Sequence, residues 1–392
     1  MGSLLPAHLS HLPAPSAEAA ANSRRLGKLI ADEIAAAGGS ISFARFMELA
    51  LHAPGRGYYS AGARKLGAGG DFVTAPELGS LFARALARQA AQVLREGVAD
   101  IIEIGAGSGR LARDLLAELV ALDCVPQRYL ILETSADLRE RQRVLLQREL
   151  PQLAARIIWL DTLPASFAAL VIGNEVLDVM PIHRVVTCQG DLLEQYVRVD
   201  ETGNFYCHET RASDELRAAA AALALPEHGY TTEIGLAACA FIRTLGSRLA
   251  RGVALLIDYG FPAREYYHPQ RSSGTLMCHY RQHSHADPFC LVGLQDITAH
   301  VDFSAIANAA VESGLDLLGY TNQAQFLINC GIADILAATP ADDAATYLPL
   351  AAQAQILMSP AEMGELFKVI ALGSNFSAPL PGFTRGDKRH TL

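Results

Sequence analysis

Several features that the sequence lacks exclude whole classes of protein. No uninterrupted apolar run in the 392 residues approaches the ~18 residues that a membrane-spanning helix needs. Basic residues are in deficit, with 32 Lys and Arg against 41 Asp and Glu and a net charge of −9, which argues against a nucleic-acid surface built on positive charge. The seven cysteines include no C-x-x-C pair. We therefore expect no membrane span, no nucleic-acid partner and a cytoplasmic protein with reduced thiols.

The remaining composition favours a large folded protein. Hydrophobic residues make up 51% and charged residues 19% of the chain, which is enough for a sizeable buried core. Residues 1–22 are rich in Ala, Pro and Ser, lack the basic start of a targeting segment and predict a flexible tail. Apolar residues at helical spacing then predict a helical cover region over 23–95, followed by the main domain over 96–392.

The main domain has the pattern of a doubly wound α/β sheet. Most of its apolar segments of strand length are separated by helical stretches, which predicts a mainly parallel, Rossmann-like sheet covered on both faces. Two insertions interrupt the alternation: 183–250, which begins with antiparallel β-hairpins, and 260–300, a long irregular loop. The predicted strands are 100–104, 128–133, 156–160, 168–173, 252–258, 315–321 and 367–372.

The most informative stretch is a glycine-rich turn after the first of these strands. Its residues are Glu103-Ile104-Gly105-Ala106-Gly107-Ser108-Gly109. A dinucleotide fingerprint, G-x-G-x-x-G, would place its third glycine where the chain has Arg110. The pattern E-x-G-x-G-x-G resembles instead the first motif of class I methyltransferases, which bind S-adenosylmethionine (SAM). A tight strand-to-helix turn in another α/β protein is the alternative.

Polar residues follow the next strands, at the edge where open α/β sheets bind ligands. Glu133 ends the second strand and is placed to accept hydrogen bonds from ribose hydroxyls, a feature that NAD and SAM sites share. Asn174 and Glu175 follow the fourth strand and are expected to point into the crevice. Asp178 either does the same or caps a helical turn. If the methyl acceptor is a protonated arginine guanidinium, Glu175 and Asp178 are a candidate pair to hold it and to take its proton.

Five ordered segments carry a resemblance to a known family. The chain resembles the MidA family of SAM-dependent methyltransferases over roughly residues 25–375. The resemblance implies a class I methyltransferase fold, SAM as cofactor and a protein substrate. Mitochondrial relatives are associated with assembly of respiratory complex I through protein arginine methylation, which makes a respiratory complex subunit a candidate substrate. The segments are 70–77, the turn 103–109, 173–181, 256–260 and 296–303.

The resemblance also implies roles for single residues. Phe72, Thr74 and Glu77 would belong to the cover of the SAM pocket, or else to a loop that caps the next helix. His300 would act as a base or positioning group, or as a structural histidine. Asp258 is predicted from its own position, at the carboxyl end of the strand 252–257, to orient the cleft or to cap the following turn.

A cluster of potential metal ligands fits no known zinc spacing. We predict no metal site there and expect a polar loop, and the sequence leaves open whether this loop contacts the substrate. The cluster consists of Cys278, His279, His283, His285 and Cys290.

The sequence thus predicts a SAM-dependent methyltransferase that acts on a protein side chain. The alternatives are a SAM-binding assembly factor with little turnover and an NAD-linked oxidoreductase. The predicted catalytic residues are Glu175, Asp178 and His300. The predicted cofactor-binding residues are Phe72, Thr74, Glu77, Glu103, Gly105, Gly107, Gly109, Glu133 and Asn174.

Overall fold

The computed structural model describes residues 6, 9–61, 74–340 and 342–392. Its strands, in chain order, are β1 (Ile41–Ser42), β2 (Asp100–Ile104), β3 (Arg128–Leu132), β4 (Ile157–Leu160), β5 (Phe167–Asn174), β6 (His183–Cys188), β7 (Asp191–Val199), β8 (Phe205–Arg211), β9 (Thr231–Ile234), β10 (Leu249–Phe261), β11 (Met277–Tyr280), β12 (His283–His285), β13 (Asp296–Thr298), β14 (Val301–Asp302), β15 (Asp316–Asn322) and β16 (Phe367–Ser374).

The helices of the described residues are mostly short. Within this part of the chain none is both long and apolar enough to cross a membrane. They are α1 (Ala17–Ala36), α2 (Phe43–His52), α3 (Ala75–Leu78), α4 (Leu81–Arg95), α5 (Arg110–Ala121), α6 (Ala136–Glu149), α7 (Asp214–Ala220), α8 (Leu236–Arg248), α9 (Ala263–Tyr266), α10 (Phe303–Glu312), α11 (Gln323–Asn329), α12 (Ile332–Ala337), α13 (Ala344–Met358) and α14 (Met363–Leu366).

The chain divides into two compact units, and the division differs from the domains expected from the sequence. Helix α4, expected in the N-terminal cover region, belongs to unit 2, and most of the first insertion belongs to unit 1 together with α1 and α2. Unit 1 comprises the described residues of Met1–Phe72, with Leu177–Ala238 and Ala263–Asp302; unit 2 comprises those of Val73–Val176, with Cys239–Pro262 and Phe303–Leu392.

Unit 2 is built on a doubly wound sheet. Its strand order is β15-β16-β10-β5-β2-β3-β4. Strands β10, β5, β2, β3 and β4 run parallel, whereas β16 is antiparallel to both β10 and β15. All seven predicted strands are confirmed. The apolar runs of β2 and of the middle of β5 are buried on both faces of the sheet. Chain order reverses between β2 and β5, which makes their carboxyl ends the topological switch point.

One predicted helix is interrupted. The sequence predicts a single helix from Pro76 through Leu94, but α3 ends at Leu78 and α4 begins three residues later. Gly79 between them has φ +151°, and a Cβ built there would lie 2.4 Å from the Gln353 side chain. Gly79 therefore stands at the break between the two helices in a backbone conformation that residues with a Cβ rarely adopt.

Unit 1 is antiparallel throughout its two sheets. The predicted hairpins are confirmed: β7 pairs with β6 and with β8, and the path β1-β7-β6-β9 completes the larger sheet. The smaller sheet has the order β12-β11-β13. The irregular loop predicted over 260–300 therefore contains regular structure. Its strands are three or four residues long, and an alternating pattern of apolar and polar residues cannot be recognised over so few positions.

The predicted flexible tail, 1–22, is wrong for most of its length. Helix α1 begins at Ala17, and the side chain of Ser16 caps it by accepting a hydrogen bond from Ala19 N. Leu9 and Leu12 are buried, so apolar contacts outweigh the Ala/Pro/Ser composition that suggested disorder. Residues 1–5, 7 and 8 lie outside the described residues. The buried cluster around the two leucines is completed by Tyr280, Cys290 and Leu291.

Candidate cofactor and catalytic site

The glycine turn joins β2 to α5 with three left-handed residues. Gly105, Gly107 and Gly109 have φ values of 64°, 53° and 82°, which side chains with a Cβ adopt at a cost. Gly105 N donates to Leu132 O at the end of β3, 2.9 Å away. Gly109 is the N-cap of α5 and supplies no side chain to its first N–H groups. The backbone at this turn can therefore approach a ligand closely and donate hydrogen bonds to it.

Glu77 lies against this turn. Ser108 Oγ donates to the Glu77 carboxylate. Arg110 Nη1 donates to Glu77 O over 3.1 Å, and Arg110 Nε lies 3.4 Å from Glu77 Oε2. The arginine that breaks the dinucleotide spacing thus holds the acidic residue beside the glycines. Thr74 is the N-cap of α3 without a side-chain capping bond. Phe72, the third predicted residue of this segment, lies outside the described residues.

Glu133 stands at the carboxyl end of β3 and is held from two sides. Its Oε1 accepts from Ser135 N at 2.9 Å, and its Oε2 accepts from Gln142 Nε2 at 3.2 Å. Burial raises the pKa of Glu133, while these hydrogen bonds oppose that rise. An ionised carboxylate has about four acceptor positions, so Glu133 can still accept from a ligand hydroxyl.

Glu103, within β2, is more deeply placed. Tyr129 OH donates to Glu103 Oε2 over 2.8 Å, and the carboxyl is almost fully buried. Burial raises the pKa of Glu103 to about 7, against the lowering effect of the Tyr129 hydrogen bond. The carboxyl that opens the glycine motif therefore titrates near neutrality.

The end of β5 carries Asn174 and Glu175 in a strained turn. Glu175 has φ +53°, unusual for a residue with a side chain, and its N–H donates to Ile257 O at 2.8 Å. Asn174 Nδ2 donates to Glu175 Oε1 over 3.0 Å. Asn174 Oδ1 is buried and has no hydrogen-bond partner within the described residues. A buried oxygen without a hydrogen-bond donor, next to a carboxylate held in one position, fits a ligand that supplies a donor to that oxygen.

Asp258, on β10, fixes the same turn. Its Oδ2 accepts from Val176 N at 3.1 Å and its Oδ1 accepts from Tyr259 N at 3.0 Å. These contacts hold the turn after β5, and the two predicted roles of Asp258, orienting the cleft and capping the turn that follows it, stay predictions.

The glycine turn and the Glu175 turn lie side by side. Ile104 and Gly173 are register partners in the adjacent parallel strands β2 and β5. A Cβ on Gly105 would lie 3.5 Å from Val176 Cγ2. Both turns therefore leave the sheet at its switch point, where open α/β folds bind nucleotides and related ligands.

Asp178 and His300 belong to unit 1, whereas Glu175 belongs to unit 2. Within unit 1 their segments are connected, since Ala299 N donates to Asp178 O at 3.0 Å. His300 N donates to Thr275 Oγ1, also at 3.0 Å. The predicted pairing of Glu175 with Asp178 stays a prediction.

The histidine- and cysteine-rich segment is only partly buried. No group of three or more His, Cys, Asp or Glu side chains suited to a metal occurs among the described residues. Cys278, His285 and Cys290 are buried, and burial raises the pKa of the Cys290 thiol to about 12. The expectation of a polar loop is therefore wrong for these three side chains, which are buried.

The geometry defines a class of protein, an α/β fold with a nucleoside-type site at the switch point, and comparison with known proteins narrows it. A family model of SAM-dependent methyltransferases matches residues 81–321. A crystal structure of a candidate methyl transferase from Burkholderia thailandensis, bound to S-adenosyl-homocysteine, is 51% identical with a TM-score of 0.94, over 97% of this chain and 100% of that one. The mouse mitochondrial protein arginine methyltransferase NDUFAF7 is 29% identical over 85% of this chain and 81% of its own length. Its Caenorhabditis elegans homolog is 26% identical, over 78% and 76%.

The chain belongs to the MidA family of SAM-dependent methyltransferases. SAM is accordingly its cofactor, and the NAD-linked alternative has no support. The sequence did not single out Gln142, which contacts the turn and Glu133, or Trp159, which contacts Gln142. No local pattern marks them, because Gln142 lies on α6 and its indole partner on β4.

Proposed function

We propose that this enzyme methylates an arginine side chain of a protein substrate. The observation that carries the proposal is the Glu175 carboxylate, fixed in a left-handed turn at the switch point and paired with Asn174. The names of the mouse and Caenorhabditis elegans relatives, both protein arginine methyltransferases, support the choice of acceptor. A subunit of a respiratory complex remains our candidate substrate, and the cytoplasm our proposed location.

The chemistry of arginine explains why a carboxylate belongs at this place. A guanidinium has a pKa above ~12 and so arrives protonated, with no free lone pair on nitrogen. A carboxylate binds it through paired N–H···O bonds and accepts its proton as the reaction proceeds. SAM supplies a methyl group on a sulfonium sulfur. The acceptor nitrogen forms the new N–C bond while the C–S bond breaks, and one proton passes from that nitrogen to the carboxylate.

The other predicted residues divide between two roles in this proposal. Glu175 provides the carboxylate that binds the arginine and takes its proton. Asp178 and His300 contribute to binding or orienting the arginine. The remaining residues hold the cofactor: Phe72, Thr74, Glu77, Glu103, Gly105, Gly107, Gly109, Glu133 and Asn174.

The acceptor is tested by transfer of labelled methyl groups from SAM into proteins of a cell lysate, with the modified residue identified after hydrolysis. We expect methylarginine from the wild-type protein. Glu175→Gln should lower the transfer rate about 10²- to 10⁴-fold, because the base is lost while the shape is kept. Calorimetry should show unchanged affinity for S-adenosylhomocysteine. Glu96→Gln, at an exposed position in the same unit, is the matched control.

The outcomes separate the alternatives. Labelled lysine or another residue in place of arginine would overturn the proposed acceptor. Cofactor binding without any labelled product would favour an assembly factor with little turnover.

A separate experiment tests whether the glycine turn binds the cofactor. Gly109→Val places a β-branched side chain at φ +82° with its Cβ 3.3 Å from Gln142 Cγ. We expect the affinity for S-adenosylhomocysteine to fall at least ~100-fold, because the turn must move by more than its neighbours allow. Gly314→Val is the control, since Gly314 has φ +85° in the same unit and a Cβ built there would meet nothing within 4 Å. Equal affinities for both variants would show that the pocket lies elsewhere.

A further inference from the structure

One buried glutamine connects the glycine turn to its neighbours. Gln142 is fully buried on α6. Its Nε2 donates to Gly107 O at 2.9 Å and to Glu133 Oε2 at 3.2 Å. Its Oε1 accepts from Trp159 Nε1 at 2.9 Å. The carboxamide therefore links the turn, the carboxylate and the indole.

The indole fixes which way the carboxamide faces. Trp159 Nε1 can only donate, so the atom that faces it must be the amide oxygen. The amide nitrogen then faces two acceptors, Gly107 O and Glu133 Oε2, and offers each of them one N–H. Reversing the amide would set its oxygen against both acceptors and its nitrogen against a donor.

The bonds to Glu133 come from both ends of the carboxylate. Ser135 N holds Oε1 and Gln142 holds Oε2. The first bond is made by the backbone and is present with any side chain at position 135. The second depends on Gln142 alone, and through the same amide group it ties the carboxylate to the backbone of Gly107.

We propose that Gln142, oriented by Trp159, is a positioning residue that aligns Glu133 with the ribose hydroxyls of the cofactor and couples it to the glycine turn. The inference rests on the proposed role of Glu133 as the ribose partner. It predicts that the loss of Gln142 weakens cofactor binding only where ribose hydroxyls are present to be bound.

Calorimetry with two ligands tests the inference. The ligands are S-adenosylhomocysteine and its 2′,3′-dideoxy analogue, which lacks both ribose hydroxyls. We expect Gln142→Leu and Glu133→Gln each to weaken binding of the first ligand roughly tenfold, the loss of about one charge-assisted hydrogen bond. Binding of the dideoxy analogue should equal that of wild type. Trp159→Phe should have a smaller effect in the same direction.

The control is a second buried glutamine in the same unit. Gln323 is fully buried and donates to Leu357 O at 3.0 Å, on a different helix pair. Gln323→Leu should lower stability without changing either affinity.

The only tryptophan of the chain gives a second readout. Because Trp159 donates to Gln142, we expect cofactor binding to change its fluorescence in the wild-type protein, and Gln142→Leu to remove that response.

The outcomes distinguish this inference from the site on which it rests. If Glu133→Gln binds both ligands normally, the assignment of Glu133 fails. If Glu133→Gln loses affinity and Gln142→Leu does not, the role of Gln142 is wrong. If Gln142→Leu loses equal affinity for both ligands, Gln142 acts by packing and not through the ribose.

Discussion

Two buried glutamates, one in each unit, look alike by burial and charge and differ in what surrounds them. Glu133 in unit 2 accepts from Ser135 N and from the Gln142 amide, and the backbone N–H of Thr134 also stabilises its charged form. Glu233 in unit 1 is completely enclosed, and burial raises the pKa of both carboxyls. Its donors are Thr275 N at 2.9 Å, Thr275 Oγ1 at 3.0 Å, Leu276 N at 3.3 Å and Tyr266 OH at 3.3 Å.

The two carboxylates differ in how many further hydrogen bonds each can accept. Three donors bind Oε2 of Glu233 and Leu276 N binds Oε1, which lies against Gly274, since a Cβ built on that glycine would lie 2.1 Å from Oε1. Glu133 keeps free positions at the carboxyl edge of a parallel sheet. A raised pKa alone therefore does not mark a functional carboxylate. A functional carboxylate is marked instead by its position in the fold and by its unused capacity to accept hydrogen bonds.

The largest effect that this comparison predicts is on stability at Glu233. Glu233→Ala leaves the N–H groups of Thr275 and Leu276 buried without their acceptor, and the Tyr266 hydroxyl keeps its contact with Thr275 Oγ1. We expect the free energy of unfolding to fall by about 3 kcal/mol or more, measured by urea denaturation. S-adenosylhomocysteine should bind the folded variant as it binds wild type.

Glu133→Ala should show the reverse, with weak binding and a small loss of stability. If Glu233→Ala weakened ligand binding while the protein stayed folded, the contrast between a structural and a functional glutamate would fail.

A second, intermediate effect concerns pH and Glu103. Its pKa rises from 4.5 in the unfolded chain to about 7 in the fold. Between these values the folded state keeps a proton that the unfolded state has released, so the stability contributed by protonation is full below pH 4.5 and is lost as the pH rises to 7. The slope is about −1.4 kcal/mol per pH unit, or about 3 kcal/mol over the window.

Glu103→Gln removes the titration and keeps an acceptor for Tyr129. We expect the variant to lack this part of the slope in urea midpoints measured from pH 5 to 8, and to exceed wild type in stability above pH 7. Glu96→Gln, at an exposed site, should follow the wild-type curve. Parallel curves for Glu103→Gln and wild type would mean that Glu103 titrates normally.

The sequence predicts unit 2 far better than unit 1, for a physical reason. Strands β2, β3 and β5 are buried on both faces, so their apolar runs and the glycine turn are visible locally. Unit 1 depends on pairings between distant segments, such as Ile41 with Val197, and its smaller sheet is made of very short strands. No local pattern reports such contacts.

The same reasoning applies within the candidate site. Glu133 and Glu175 could be proposed because each directly follows a predicted strand. Gln142 could not, because its three bonds reach a turn 35 residues away, a carboxylate nine residues away and an indole 17 residues away. Asp258 follows a strand, but its contact with Val176 N spans 82 residues and required the structure.

The smallest predicted effect separates the backbone of Ser135 from its side chain. Ser135 N holds Glu133, whereas Ser135 Oγ caps α6 by accepting from Leu138 N. Ser135→Ala should therefore cost about 1 kcal/mol of stability through the lost cap. The affinity for S-adenosylhomocysteine should not change, because alanine keeps the N–H that binds the carboxylate.

Ser42→Ala is the matched variant in unit 1, where Ser42 Oγ caps α2 by accepting from Arg45 N. The free energy of unfolding should fall by a similar amount in both variants, and the affinity for S-adenosylhomocysteine should not change in either. If Ser135→Ala alone weakened binding, the side chain at position 135 would contribute to the geometry of Glu133, and Gln142 would not be its only side-chain support. Equal behaviour of the two serines would instead leave the carboxylate dependent on backbone N–H groups and on the buried Gln142 amide, and of these only the amide can be removed by a side-chain substitution.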